Sequence, residues 1–212
     1  MTEQLSGQTV LAIGGTSGIW LDAARQARSV GAELILTGRD ADRVHAAGLE
    51  LGARIAAFDP LDFDRLGRFF ADLPARIDHL MLAGERPCDG SLARLDLNSA
   101  RRAAERDLWL PLRIAQLSID TIRPGGSLLL IGGSGGEHPS AGPVVSAISA
   151  ALPALTRSLA LQLAPVRVNL IAPGGVGPAD AAGLAIHLMT NTGITGSTFH
   201  IDGGQPKGGL GP

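Results

Sequence analysis

Short apolar runs alternate with helix-length amphipathic segments along most of this 212-residue chain, and that alternation limits its possible folds more than any other feature. Residues 8–13, 33–37, 53–58, 79–83, 127–131, 167–171 and 197–201 read as strands, several of them apolar enough to be buried on both faces. Helices are predicted over 19–30, 40–51, 62–73, 144–163 and 179–189, with a long helix or helix pair between 98 and 122. Pro124-Gly125-Gly126 reads as a turn just before the fifth strand. A β–α–β order of this kind implies a parallel sheet, right-handed crossovers and helices on both faces. Ligands of such sheets bind beyond the carboxyl ends of the strands. There is no internal repeat and no linker, so residues 1–212 read as one domain.

The first strand runs directly into Gly14-Gly15-Thr16-Ser17-Gly18-Ile19-Trp20, and a helix follows. Glycines at that point permit a tight turn and let backbone N–H groups approach a pyrophosphate at the helix start. This is the fingerprint position of a doubly wound, Rossmann-type α/β fold: three layers around a seven-stranded parallel sheet. A plain tight turn would need the same glycines, so the turn gains meaning only from its context.

Other segments supply that context. Asp59 follows the third strand, and Leu82-Ala83-Gly84 closes the fourth. Leu155-Thr156-Arg157-Ser158-Leu159-Ala160, Arg167-Val168-Asn169, Ala172-Pro173-Gly174 and Ile201-Asp202-Gly203-Gly204 come later, in that order. With the glycine turn, these resemble the short-chain dehydrogenase/reductase family over nearly the whole chain. The resemblance implies a dinucleotide held by Gly14, Thr16, Ser17, Gly18, Ile19, Asp59, Ala83, Gly84, Pro173 and Gly174. Where NAD-preferring members carry an acid after the second strand, this chain has Gly38 and then Arg39. Losing the acid removes repulsion toward a 2′-phosphate, and a guanidinium pairs with that phosphate in a fork. The resemblance therefore favours NADP(H) over NAD(H), although Arg39 also fits a solvated surface position.

The family's catalytic set is missing. The resemblance places its tyrosine at Val145, its lysine at Ser149, its serine at Gly133 or Gly132, and its asparagine at Trp109. The chain has no tyrosine at all, and Lys207 is its one lysine, so no shift of register restores the pair. A positioned general acid contributes about 10²–10⁴ in rate, and valine has no proton to give. Trp20 stands where the last glycine of the turn belongs, Met81 and Leu82 replace two asparagines, and Pro178 replaces a threonine near the nicotinamide. The stretch from Gly174 to the next helix is too short for a lid, so water should reach the cleft.

Substitutes for the missing groups would come from Ser134, Glu137 and His138 after the fifth strand, or from Ser146 and Ser149 on the next helix. His138 titrates near neutrality, but a solvated loop histidine is the simpler reading. Cys88 lies at the cleft mouth, with only Arg86 nearby to activate it. His187 and His200 have no partners in a metal-ligand spacing, so no metal is expected. A net charge of −2 argues against nucleic acid and anionic membranes as partners. One cysteine and a polar start without an apolar leader point to the cytoplasm. The expected partners are a dinucleotide, an unknown small molecule and further copies of the chain, as a dimer or tetramer. Three readings stand: an atypical NADP(H)-binding oxidoreductase, a non-redox catalyst reusing the cleft, or a non-catalytic nucleotide-binding or partner subunit.

Overall fold

A computed structural model describes residues 4–73, 76–84, 92–132, 142–174 and 177–204. One parallel sheet organises them. Its strands are β1 (Thr9–Ile13), β2 (Glu33–Gly38), β3 (Arg54–Ala57), β4 (Ile77–Ala83), β5 (Ile122–Ile131), β6 (Arg167–Pro173) and β7 (Thr198–Ile201). Their spatial order is β3-β2-β1-β4-β5-β6-β7, so the chain reverses direction beside β1. That reversal between β1 and β4 opens a crevice at their carboxyl ends.

The helices are α1 (Gly18–Ser29), α2 (Ala41–Leu51), α3 (Phe63–Ala71), α4 (Leu97–Ala104), α5 (Leu110–Thr121), α6 (Pro143–Gln162) and α7 (Pro178–Thr190). Aspartates start three of them. Asp40 accepts from the Arg43 N–H, Asp62 from the Arg65 N–H, and Asp96 from the Asn98 and Ser99 N–H groups, each satisfying donors a helix start leaves open. The long helix or helix pair expected between 98 and 122 is one rod with a π-helical turn, Glu105–Trp109, between α4 and α5. The predicted Pro124-Gly125-Gly126 turn lies inside β5. Ile122 pairs with Ile77 and Ser127 with His79, so the residues between loop out of register.

Two apolar layers cover the sheet. Helices α1, α2 and α7 build one around Ala23, Ala24, Ala27, Ala47, Ala181 and Ala185. Helices α3, α5 and α6 build the other around Leu66, Phe70, Ile114, Leu152 and Leu159. One expectation fails here. Strands β4, β5 and β6 advance across the sheet with their helices on the second face, but α7 returns to the first face before β7. The β6–α7–β7 crossover is therefore left-handed, unlike the others. The alanine faces of α1 and α7 pack closely enough to hold it there. Helix α6 is long and apolar enough to cross a membrane by length and composition. In this fold it lays Val145, Ile148, Leu152, Thr156 and Leu159 inward, which is core packing.

At the amino ends of the strands, opposite the crevice, His79 is buried between Ser127 and Gln8. Its Nδ1 lies 2.8 Å from Ser127 Oγ and its Nε2 lies 2.7 Å from Gln8 Oε1. The neutral ring suits both partners: Nε2–H donates to the amide oxygen and Nδ1 accepts from the hydroxyl. Burial, reinforced by the positive charge of Arg167, lowers the His79 pKa to about 4. In the unfolded chain it titrates near the ordinary value of about 6.5. The neutral ring's contribution is thus complete above pH ~6.5 and is lost as pH falls toward ~4, on the order of 3 kcal/mol. Urea unfolding at pH 7 and pH 4.5 should show a larger loss in the wild type than in His79→Gln. Equal losses would contradict this account.

Candidate active-site cleft

The carboxyl ends of β1, β4, β5 and β6 bound a cavity of about 940 Å3. Gly14, Thr16, Ser17, Gly18, Ile19, Arg39, Ala83, Gly84 and Pro173, all expected around the dinucleotide, line it. Asp59 and Gly174 stand outside the lining. Asp59 is exposed beside the lining residue Pro60, and its Oδ1 accepts from the Leu61 N–H at 3.0 Å. The Gly174 N–H donates to the Ile201 carbonyl at 2.7 Å. Glu85, Arg86, Cys88, Gly133, Ser134, Glu137, His138 and Lys207 lie outside the described residues.

The turn is shaped to admit a phosphate. Val10 pairs with His79 and Ile13 with Leu82 in the parallel register of β1 and β4, and this carries Gly14 alongside Ala83. Gly14 has φ +83°, and a Cβ there would sit 2.7 Å from the Ala83 Cβ, so only glycine fits. Helix α1 begins with no side-chain cap from Ser17 and no acid in its first turn. Its first N–H groups are left for an anion at the positive end of the helix dipole. A dinucleotide's pyrophosphate fits this start by charge and by shape.

Beyond the turn, Gly38 permits a second close approach. A Cβ on it would lie 2.9 Å from Val44 Cγ2 and 3.2 Å from Thr16 Cγ2. The side chain of Thr16 therefore crosses the place an acid at position 38 would occupy. Arg39 and Arg43, four residues apart and both exposed, line this end of the cavity with Asp40. Arg43 Nε lies 3.2 Å from Asp40 Oδ2. Arg43 escaped the sequence reading. Its signal was its place in the first turn of α2, just beyond Gly38 and Arg39.

At the other end, Val145, Ile148, Ser149 and Leu152 of α6 line the wall with Leu82, Leu130 and Leu170. Val145 and Ser149 are one helical turn apart and both are buried. No described residue hydrogen-bonds the Ser149 hydroxyl, which opens onto the cavity. Gly132 also lines it.

Two aromatic residues required structural placement. Trp20 is 6% exposed and packs in the α1–α7 layer while still bordering the cavity, so its indole forms wall. Trp109, where the resemblance places the asparagine, is 59% exposed and is not part of the cavity lining. The π-helical turn rotates the rod there, and Arg106 and Asp107 are the residues it presents to the cavity. Only four residues separate Pro173, which closes β6, from the start of α7, too few for a covering helix, and Pro178 at its first turn borders the cavity directly. Among the described residues no cluster of His, Cys, Asp or Glu could hold a metal ion.

Comparison with known proteins agrees with this architecture. The SDR-like Rossmann domain model matches residues 61–198. The short-chain dehydrogenase/reductase ATR9 of Stachybotrys chlorohalonatus is 27% identical over 187 residues, covering 80% of this chain and 74% of its own length. The short-chain dehydrogenase/reductase fsr5 of Gibberella fujikuroi is 28% identical over 192 residues, covering 81% and 72%. Among solved structures, BdcA in complex with NADPH shares the fold with a TM-score of 0.87 at 23% identity, over 94% of this chain and 95% of that one. A short chain dehydrogenase/reductase family protein superposes with a TM-score of 0.86 at 29% identity, over 95% and 98%. The glycine turn, the strand order and these matches converge: the chain belongs to the short-chain dehydrogenase/reductase family.

Proposed function

We propose that this protein binds NADP(H) along the carboxyl ends of its strands and does not reduce carbonyls by the tyrosine–lysine route. The carrying observation is the uncapped start of α1 opening onto the same cavity as Arg39 and Arg43. Gly14, Gly18 and Ser17 would take the pyrophosphate on backbone N–H groups, and Arg39 with Arg43 would take the 2′-phosphate. The shared fold of BdcA, crystallised with NADPH, supports the same choice. Bound NADP(H) would supply a hydride. On the wall formed by α6, Val145 has no proton to match it, and Ser149 offers a hydroxyl without positive charge.

That wall also favours a second reading, a nucleotide-holding subunit without turnover. The Arg39→Gln/Arg43→Gln double variant separates cofactor recognition from chemistry. Its NADPH affinity should fall at least tenfold in a fluorescence titration, with NADH affinity nearly unchanged. Equal losses for both nucleotides would show that the arginines do not read the 2′-phosphate.

We further propose a cytoplasmic homo-oligomer, a dimer or tetramer. Leu97, Trp109, Leu112 and Ile119 leave an apolar outer face on the α4–α5 rod, and Leu161 leaves one on α6. Sedimentation at micromolar concentration should give a dimer or tetramer, and a single monomeric species would contradict this.

A further inference from the structure

Trp20 is the third residue of α1 and stands where the family's turn carries a glycine. It packs deep in the layer shared with α7, yet it borders the cavity together with Ser17, Gly18 and Ile19. Its indole N–H can donate a hydrogen bond and cannot accept one. No described residue accepts from it. Among the described residues, the side-chain polar atom sealed from solvent without a partner is Arg167 Nε. The Trp20 N–H also has no partner but is not sealed, so the small exposed part of this side chain includes Nε1, and the opening it borders is the cavity. An unmade donor on a side chain packed this deeply is costly and is out of keeping with the pairing of buried polar groups elsewhere in the fold.

The surroundings define what this donor would meet. Side chains of an α-helix lean back toward its start, so a residue in the first turn carries its outer atoms toward the open N–H groups. The start of α1 has no side-chain cap and no acid in its first turn. Asp22, the carboxylate nearest along α1, is outside the cavity lining and pairs with Arg25 at 2.9 Å. Pro173 and Pro178 border the same cavity and carry no N–H of their own. A negatively charged oxygen at this place gains both from the helix dipole and from the indole donor. A neutral acceptor gains only from the donor, and a cation gains from neither.

We propose that Trp20 is an anion-binding residue of the cleft, whose indole Nε1–H donates to a phosphate oxygen of the ligand seated at the start of α1. A glycine at this position of the turn has no side chain and leaves the phosphate to backbone N–H groups alone. Here a rigid side-chain donor joins them, held in place by its packing against the α7 layer. This role rests on the reading of the α1 start as the seat of a pyrophosphate, and inorganic pyrophosphate probes it without the rest of the nucleotide.

The test reads the indole N–H directly. Protein labelled with 15N-tryptophan gives two indole signals, from Trp20 and Trp109, which Trp109→Phe assigns. The labelled wild type is titrated with sodium pyrophosphate and with NADP+, against sodium chloride at matched ionic strength. Both phosphate ligands should move the Trp20 indole proton downfield and leave the Trp109 signal in place. Pyrophosphate has no aromatic ring, so its shift reports a hydrogen bond and not a ring current. Trp20→Phe keeps an aromatic packing group and removes the donor. It should weaken NADP+ binding about tenfold, the scale of a hydrogen bond to a charged group, with the melting temperature little changed. The wild-type shifts stand as the test if that variant fails to fold. NADP+ binding with the Trp20 signal unmoved would overturn the proposal and leave the nucleotide reading intact. A Trp20 shift with pyrophosphate but no binding of NADP+ would support the anion role and refute the nucleotide reading. No Trp20 shift with either ligand would overturn the proposal, and so would a folded Trp20→Phe variant with wild-type affinity for NADP+.

Discussion

Replacing Val145 with tyrosine and Ser149 with lysine together should raise NADPH-dependent reduction of simple ketones and aldehydes about 10²-fold over the wild type, the lower end of what a positioned general acid contributes. Both positions lie on one face of α6 and line the cavity. A tyrosine at 145 can extend its hydroxyl into the open volume, where valine offers only methyl groups. A lysine at 149 would place its ammonium one helical turn away, lowering the phenol's pKa. The hydroxyl of Ser149 has no described partner, so replacing it breaks no contact seen here. The rate is read as NADPH consumption over a panel of carbonyl compounds. No gain in rate with NADPH still bound would contradict the account that the lost acid and its cation limit the chemistry. The defect would then lie in the short β6–α7 connection or at Trp20.

The second large effect falls at the opposite end of the sheet. Arg167→Leu is expected to lower the melting temperature by roughly 5–10 °C, corresponding to about 2–3 kcal/mol for a chain of this size. Arg167 is 6% exposed and sits at the first position of β6. Its guanidinium donates to the carbonyls of Leu188, Met189 and Asn191, closing the last turn of α7. Leucine would leave those acceptors buried without a donor. The gain from removing a buried charge, whose Nε already has no partner, offsets only part of that loss. The same contacts hold α7 at the end of its left-handed crossover, so their loss falls on an element with unusual topology. Nucleotide affinity should stay unchanged, because the cleft lies at the carboxyl ends. A melting temperature within a degree of the wild type would contradict this.

Much of this architecture was legible in the sequence because it depends on local chemistry. The parallel sheet followed from β–α alternation, and the cleft followed from glycines placed between a strand and a helix. Gly38 followed by Arg39 already marked the outer end of the site. The rest depended on geometry that residue identity does not encode. A π-helical turn adds a residue to one winding of the rod without a composition signal, so the family resemblance pointed to Trp109 and passed over Arg106 and Asp107. The hand of the last crossover is set by alanine packing between α1 and α7, residues far apart in the chain. The polar row of Gln8, His79 and Ser127 likewise assembles from the residue before β1 and from positions within β4 and β5 that only the parallel register brings together.

The central claim is that the glycine turn and the arginines beyond it hold NADP(H) although the family's tyrosine and lysine are gone. Titration of the wild-type protein with NADPH and with NADH, followed by cofactor fluorescence, tests it most directly. The account predicts saturable NADPH binding in the micromolar range, at least tenfold tighter than NADH. Failure of both nucleotides to bind at millimolar concentration would contradict it.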